Sequence, residues 1–163
     1  MASENISIRI SLFLWWRLVR QLRSRGQGRR ESGAFLLGRA EDTSGKVSSF
    51  ICYDDLDPHA YQSGAIAFHA EGYAALWERC RNHGLQVLAD AHTHPGWGVG
   101  QSPIDQANPM IPVKGHTGMI LPNFATTVKL SLAGVGIYEY LGGYKWRVHD
   151  PAARPARVRL VLW

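Results

Sequence analysis

Leu85-Gln86-Val87-Leu88-Ala89-Asp90-Ala91-His92-Thr93-His94-Pro95 is an apolar segment that runs directly into two imidazoles. Leu85 to His92 has the composition of a buried strand, and Pro95 ends it. Residues i and i+2 of a strand point to one face, with Cα atoms about 6.5–7 Å apart, so His92 and His94 can converge on one ion. Asp105 follows His94 by eleven residues, across the glycine-rich loop Gly96-Trp97-Gly98-Val99-Gly100, which can turn sharply. Two imidazoles and a carboxylate form a three-ligand set for a catalytic zinc ion, with the fourth position left for water.

Ser102-Pro103-Ile104-Asp105 also has the form of a helix start, with Ser at the N-cap, Pro at N1 and an acid at N3. Capping accounts for Ser102 and Asp105 alone. It does not account for a His-x-His immediately upstream, and both readings hold together if the capped turn is the mount for a ligand. A zinc hydrolase further needs a group that takes a proton from water and returns it to the leaving amine. Glu31, just ahead of the apolar segment Gly33-Ala34-Phe35-Leu36-Leu37-Gly38, is either that group or an exposed loop charge.

Outward from this centre, Ser11 caps an expected helix from Leu12 to Arg23, with Leu14, Leu18, Val19 and Leu22 as its buried stripe. Ala34 to Arg39 and Lys46 to Tyr53 are expected to pair as a hairpin through the loop Glu41 to Gly45. Asp54 to Ser63 is expected to be loop, and His69 to His83 a second helix, with Tyr73, Leu76, Trp77 and Cys80 at helical spacing and Gly84 as its stop. Further strands are expected at Met119–Leu121, Val128–Leu132, Gly136–Leu141, Tyr144–Val148 and Val158–Leu162, with Gly142-Gly143 as a two-residue turn. This order of elements predicts a single domain over residues 1–163: an α/β (α+β) sandwich with a central mixed sheet flanked by helices.

Composition narrows the classes. At 163 residues and 45% hydrophobic, the chain is globular rather than disordered. Cys52 and Cys80 make no disulfide framework and are expected as reduced, packed thiols. Met1 to Asn5 lacks the basic region of a signal peptide, and the apolar run Ile10 to Val19 is short and interrupted by Arg17, so no membrane association and a cytoplasmic location are expected. The net charge is +5, with six arginines between Arg17 and Arg30. No nucleic-acid motif accompanies them, so a solvated helix face and basic loop is the reading preferred over a nucleic-acid patch; an acidic protein partner is the remaining option.

Four other residues invite a functional reading. His69-Ala70-Glu71 has the His-x-Glu of zinc deaminases, but no Pro-Cys-x-x-Cys follows it. On one helix His69 and Cys80 would stand about 16 Å apart, so they cannot share an ion. His116 is expected to be a loop histidine near the cleft, or else a contact of the substrate or of the metal ligands, and Trp97 either walls the substrate channel or covers the core.

Together these residues carry a resemblance. Glu31 ahead of the Leu-Leu-Gly strand, then His92-Thr93-His94-Pro95, then Ser102 and Asp105, resemble the JAB/MPN metalloproteases of the JAMM type. The order Glu…His-x-His-Pro-x(6)-Ser-x(2)-Asp is complete, and the likeness runs from about Ile6 to Tyr140. The resemblance implies a cytidine-deaminase-like architecture and one catalytic Zn2+ held by His92, His94 and Asp105. It implies that Glu31 is the acid and base for a zinc-bound water that attacks the carbonyl, and that Ser102 stabilises the oxyanion. The stretch Met119 to Ala125 looks like the family strand that follows the active site.

The implied reaction is cleavage of a peptide or isopeptide bond after the C-terminal tail of a ubiquitin-like protein, the tail lying extended along a sheet edge. The chain lacks the long insertions and second zinc site of some eukaryotic deubiquitinases. It is most similar to small bacterial JAB proteins of ubiquitin-like conjugation and antiviral-defence operons. Partners implied are the ubiquitin-like modifier, its conjugates, and E1-like and E2-like enzymes. Two alternatives belong to the same resemblance: a peptidase that processes a sulfur-carrier-like protein, and a non-catalytic MPN scaffold.

Overall fold

A computed structural model describes residues 6–163; the reading of Met1 to Asn5 falls outside the described residues. The molecule is an α+β sandwich built on one eight-stranded mixed sheet. In chain order the elements are β1 (Ser7–Ser11), α1 (Leu12–Gly26), β2 (Gly33–Ala40), β3 (Ser44–Cys52), α2 (Tyr53–Leu56), α3 (Ala70–His83), β4 (Gln86–Thr93), α4 (Pro103–Ala107), β5 (Thr117–Leu121), β6 (Gly136–Gly142), β7 (Lys145–His149) and β8 (Val158–Val161). Across the sheet the order is β7-β6-β5-β4-β2-β3-β1-β8. The β4–β5, β1–β3 and β1–β8 pairs are parallel, and β2–β3, β2–β4, β5–β6 and β6–β7 are antiparallel.

The apolar runs of β2 and β4 follow from burial on both faces. Ala34 and Leu36 of β2, with Ala89 and Ala91 of β4, pack against α1 through Trp15, Leu18 and Leu22. Phe35 and Leu37 point the other way, into a second core with Tyr53, Tyr61, Leu76 and Cys80 beneath α3. Asp90 and His92 alternate with Ala89 and Ala91, so they lie on the α3 side of the sheet. The sheet thereby places its polar β4 residues on one face, where a cavity opens.

Helix α1 starts where expected: the Ser11 hydroxyl accepts from the Leu14 N–H at 3.2 Å. Its buried residues include the four expected and also Trp15, whose indole donates to the Lys129 carbonyl at 2.9 Å. Several arginines of the basic run are engaged in contacts within the chain. Arg25 pairs with Asp54 and Asp55, Arg23 donates to the Ala125 and Thr126 carbonyls, and Arg20 lies 4.7 Å over the Trp16 ring.

Several boundaries differ from expectation. Residues 128–132 form no strand: Val128 and Leu132 are buried, but the Lys129 carbonyl is taken by Trp15, so the segment is an anchored loop. Asp54 to Ser63 is not all loop, because Tyr53–Leu56 is one helical turn held by the Arg25 pairs. Ser7–Ser11 is a strand that the apolar run into α1 conceals, with Ile8 and Ile10 buried between its neighbours. The β6–β7 turn is centred on Gly143-Tyr144, one residue later than expected, and both have positive φ. Among the described residues, no helix is long and apolar enough to cross a membrane.

Candidate metal centre

His92 sits near the C-terminal end of β4, and His94 lies just beyond it. The main chain of His94 is clamped on both sides: its N–H donates to Leu121 O and its carbonyl accepts from Phe124 N–H, each at 2.9 Å. In the turn that makes the second bond, Asn123, Phe124 and Ala125 all take left-handed backbone, with φ of 51, 52 and 63°. Such geometry costs roughly 1–2 kcal/mol per non-glycine residue. Met119 to Ala125 is therefore not strand throughout; β5 ends at Leu121, and the following turn braces the metal-side loop.

The rings of His92 and His94 approach with Nε2 to Nε2 at 3.2 Å. Asp105 completes the group, with Oδ2 3.2 Å from His94 Nε2 and Oδ1 3.4 Å from His92 Nε2. A tetrahedral ion bound at about 2.0–2.1 Å has ligand-to-ligand edges of about 3.3–3.4 Å. The two imidazole nitrogens, and each nitrogen with its nearest carboxylate oxygen, stand near that spacing, the histidines meeting different oxygens of Asp105. The tautomers also fit: His94 Nδ1 lies 3.2 Å from the Gly98 carbonyl, so it carries the proton and leaves the Nε2 lone pair directed at the group.

Asp105 is mounted as its sequence context predicts. The Ser102 hydroxyl accepts from the Asp105 N–H at 3.1 Å, and Asp105 Oδ2 accepts from the Ser102 N–H at 2.7 Å, a complete capping box. Pro103 stands at N1, and α4 is a single short turn. Because the Ser102 oxygen is an acceptor in this box, its own proton is uncommitted and available to a ligand. The preceding loop is pinned from β6, where the Tyr138 hydroxyl donates to Val99 O at 2.5 Å.

Glu31 reaches this group through a staple that links residues sixty-one apart. The Ser32 N–H donates to Thr93 Oγ1 at 3.0 Å, and the Thr93 N–H donates to Ser32 O at 2.9 Å. The Ser32 hydroxyl also donates to Leu22 O at 2.7 Å, which ties the same point to α1. Both residues are fully buried. Ser32 follows Glu31, and Thr93 separates the two histidines, so the staple holds the glutamate beside the imidazoles. Sequence reasoning passed over Ser32 and Thr93; their signal was two small hydroxyl residues adjoining the candidate ligands.

Charge states follow the geometry. Burial raises the Glu31 carboxyl above its ordinary range, against the pull of His92 and His94. The Asp105 hydrogen bond raises His94, against burial. Burial would raise Asp105, but its bonds to His92 and His94 hold it well below the carboxylate range. In metal-free protein these two shifts have opposite signs. The depressed Asp105 contributes stability above its unfolded value of about 3.9, lost as pH falls through the folded one. The raised His94 contributes below about 6.5, lost as pH rises through its folded value. Thermal melts of chelated protein should therefore show the site's contribution greatest between about pH 4 and 6.5. Adding zinc should move the gain to higher pH, where the histidines are free of protons.

The other expected candidates lie elsewhere. His69 precedes α3 and pairs with Asp57 at 2.6 Å, so the deaminase-like triplet forms no site. His116 is buried rather than in an open loop, with Nε2 2.6 Å from Asp90 Oδ1. Trp97 is 76% exposed, so it covers no core. Cys52 and Cys80 are free and buried; burial pushes the Cys52 thiol up to about 12 and raises Cys80 as well, so neither is a nucleophile.

No family model matches the chain. Among solved structures, it is similar to a protein from Desulfitobacterium hafniense known from a solution structure, at 14% identity and TM-score 0.64, covering 95% of this chain and 94% of that one. It is also similar to a protein from Salinibacter ruber, at 17% identity and TM-score 0.58, covering 87% of this chain and 88% of that one. At these identities the likeness is one of fold.

Proposed function

We propose that the protein is a zinc-dependent peptidase or isopeptidase of the JAMM type. The observation that carries this is the metal-sized triangle of His92, His94 and Asp105 with the half-buried Glu31 carboxylate stapled beside it. Bound zinc supplies Lewis-acid polarisation of a carbonyl and lowers the pKa of water toward ~7.

Glu31 takes a proton from the attacking water and returns it to the departing amine as the C–N bond breaks, leaving a carboxylate and an amine product. A raised carboxyl suits both halves of that task, because acceptance and donation must occur near one working pH. The Ser102 hydroxyl donates to the oxygen that gains charge as the carbonyl becomes tetrahedral.

The substrate class we propose is the extended C-terminal tail of a ubiquitin-like protein, joined to a target or a precursor segment, in a bacterial conjugation or antiviral system. Support comes from the motif and from the sheet. β7 is an outer strand, and Tyr144 and Trp146 at its start line the cavity beside the ligands, so an extended tail has an edge to pair with. The decisive experiment offers zinc-loaded protein a panel of ubiquitin-like and sulfur-carrier-like fusions and isopeptide conjugates. Cleavage after the tail, abolished by chelation and restored by zinc, is expected. A zinc-replete protein that cleaves none of them would favour a scaffold.

A further inference from the structure

The cavity beside the metal group is larger than the catalytic residues need. It has a volume of about 780 Å³ and extends from Glu31, His92 and Asp105 across the sheet face to Asp90. The ladder explains its floor. Asp90 of β4 pairs in register with Gly118 of β5, which pairs with Tyr138 of β6. Gly118 contributes no side chain, so the flank of the Asp90 carboxylate is left open. A Cβ built there would lie 3.8 and 3.9 Å from the two carboxylate oxygens and within 4 Å of nothing else.

Around this floor stand Tyr53, Phe68, Tyr73, Tyr138, Tyr140 and Trp146. They brace one another, with Phe68 edge-on to Tyr73 at 4.7 Å and Tyr140 against Trp146 at 4.9 Å between ring centroids. Asp90 is held by one bond on each oxygen: His116 Nε2 at 2.6 Å on Oδ1 and the Tyr53 hydroxyl, donating at 3.3 Å, on Oδ2. Each oxygen keeps lone-pair capacity for another donor. The chain carries +5, yet among the described residues none lining this cavity is Lys or Arg. The lining carboxylates are Glu31 and Asp105, which serve the metal group, and Asp90, which does not.

A carboxylate at the base of an aromatic-walled cavity without Lys or Arg has the chemistry to hold an alkylammonium or guanidinium group. Asp90 is two residues before His92 on the same strand face, about 7 Å away along β4, so such a group belongs to a residue next to the reacting bond. We propose that this cavity seats the lysine or arginine side chain of a substrate residue flanking the scissile bond. The placement rests on the peptidase reading above; the ligand class rests on the cavity alone.

Two arms separate these. In the first, NMR of labelled, zinc-loaded protein follows the Gly118 amide and the Trp146 indole during titration with Nα-acetyl-arginine amide, its lysine counterpart and Nα-acetyl-norleucine amide. The two cations should bind at least about tenfold more tightly than norleucine, a gap of about 1.4 kcal/mol. Asp90→Asn, which keeps a partner for His116 and Tyr53, should erase the difference. Gly118→Ala should do the same by ordinary contact beside the carboxylate and without disturbing the fold. Equal binding of all three compounds, or a preference that survives both substitutions, overturns the proposal. In the second arm, peptides vary the residues on either side of the bond. Cleavage with no preference for a basic residue overturns the inference while leaving the peptidase reading in place. Selective cation binding without cleavage of any peptide supports the ligand class and overturns the peptidase reading.

Discussion

Glu31→Gln should reduce cleavage by about 10²–10⁴-fold, the range for loss of a positioned acid–base group, while zinc stays bound. The substitution keeps the shape of the side chain and leaves His92, His94 and Asp105 untouched. It should also leave the metal-free protein as stable as the wild type, or more so. Burial holds the Glu31 carboxyl above its ordinary value, so the folded state binds more protons than the unfolded one between those two values. Stability is therefore lost as pH rises through that window, and glutamine removes the loss. Melts compared at neutral pH and below about pH 4, where the carboxyl is protonated in both states, should show a gain only at neutral pH. A Glu31→Gln protein that retains turnover within a few-fold of wild type would remove the glutamate from the reaction.

Gly33→Ala should damage fold and activity together. A Cβ at Gly33 would lie 2.7 and 2.8 Å from Cδ2 and Cζ of Tyr53, and closer still to Cε2. Tyr53 is fully buried and bonded to Asp90, so it cannot swing clear. Overpacking of this kind costs about 1–3 kcal/mol, and for a chain of this size that lowers the melting temperature by roughly 3–10 °C. Gly33 also pairs with His92 in the β2–β4 ladder and stands two residues from Glu31. A shift of β2 therefore moves the glutamate relative to its histidine, and a displacement near 1 Å can cost about 10²-fold in rate. Gly100→Ala, where a Cβ meets nothing within 4 Å, is the control and should melt within about 1–2 °C of wild type. Equal melting temperatures for the two variants would show that the close approach at Gly33 has no energetic weight.

How much of this was legible in the sequence depended on the range of the interaction. The capping box is local, so Ser102 and Asp105 could be read from four consecutive residues. The strand carrying His92 announced itself by its apolar run, and α1 by Ser11 and its stripe. What escaped were features decided by distant partners. Val128 and Leu132 alternate like strand residues, but the indole of Trp15 takes the carbonyl between them. Ile8 and Ile10 precede the Ser11 cap in a stretch too short to signal a strand until β3 and β8 are seen on either side. Ser32 and Thr93 gain meaning only as a pair, and Asp90 only when the register sets it beside Gly118. The left-handed turn at Asn123–Ala125 has no glycine to signal it, and it is anchored by bonds to the distant Gly96 and His94 carbonyls.

The central claim is that His92, His94 and Asp105 hold one zinc ion. Elemental analysis of protein purified in zinc-replete medium and desalted tests it most directly. The wild type and Glu31→Gln should each retain about one zinc per chain, and the His92→Ala/His94→Ala double variant should retain essentially none. Zinc-free wild type, or a double variant that holds as much zinc as the wild type, would contradict it.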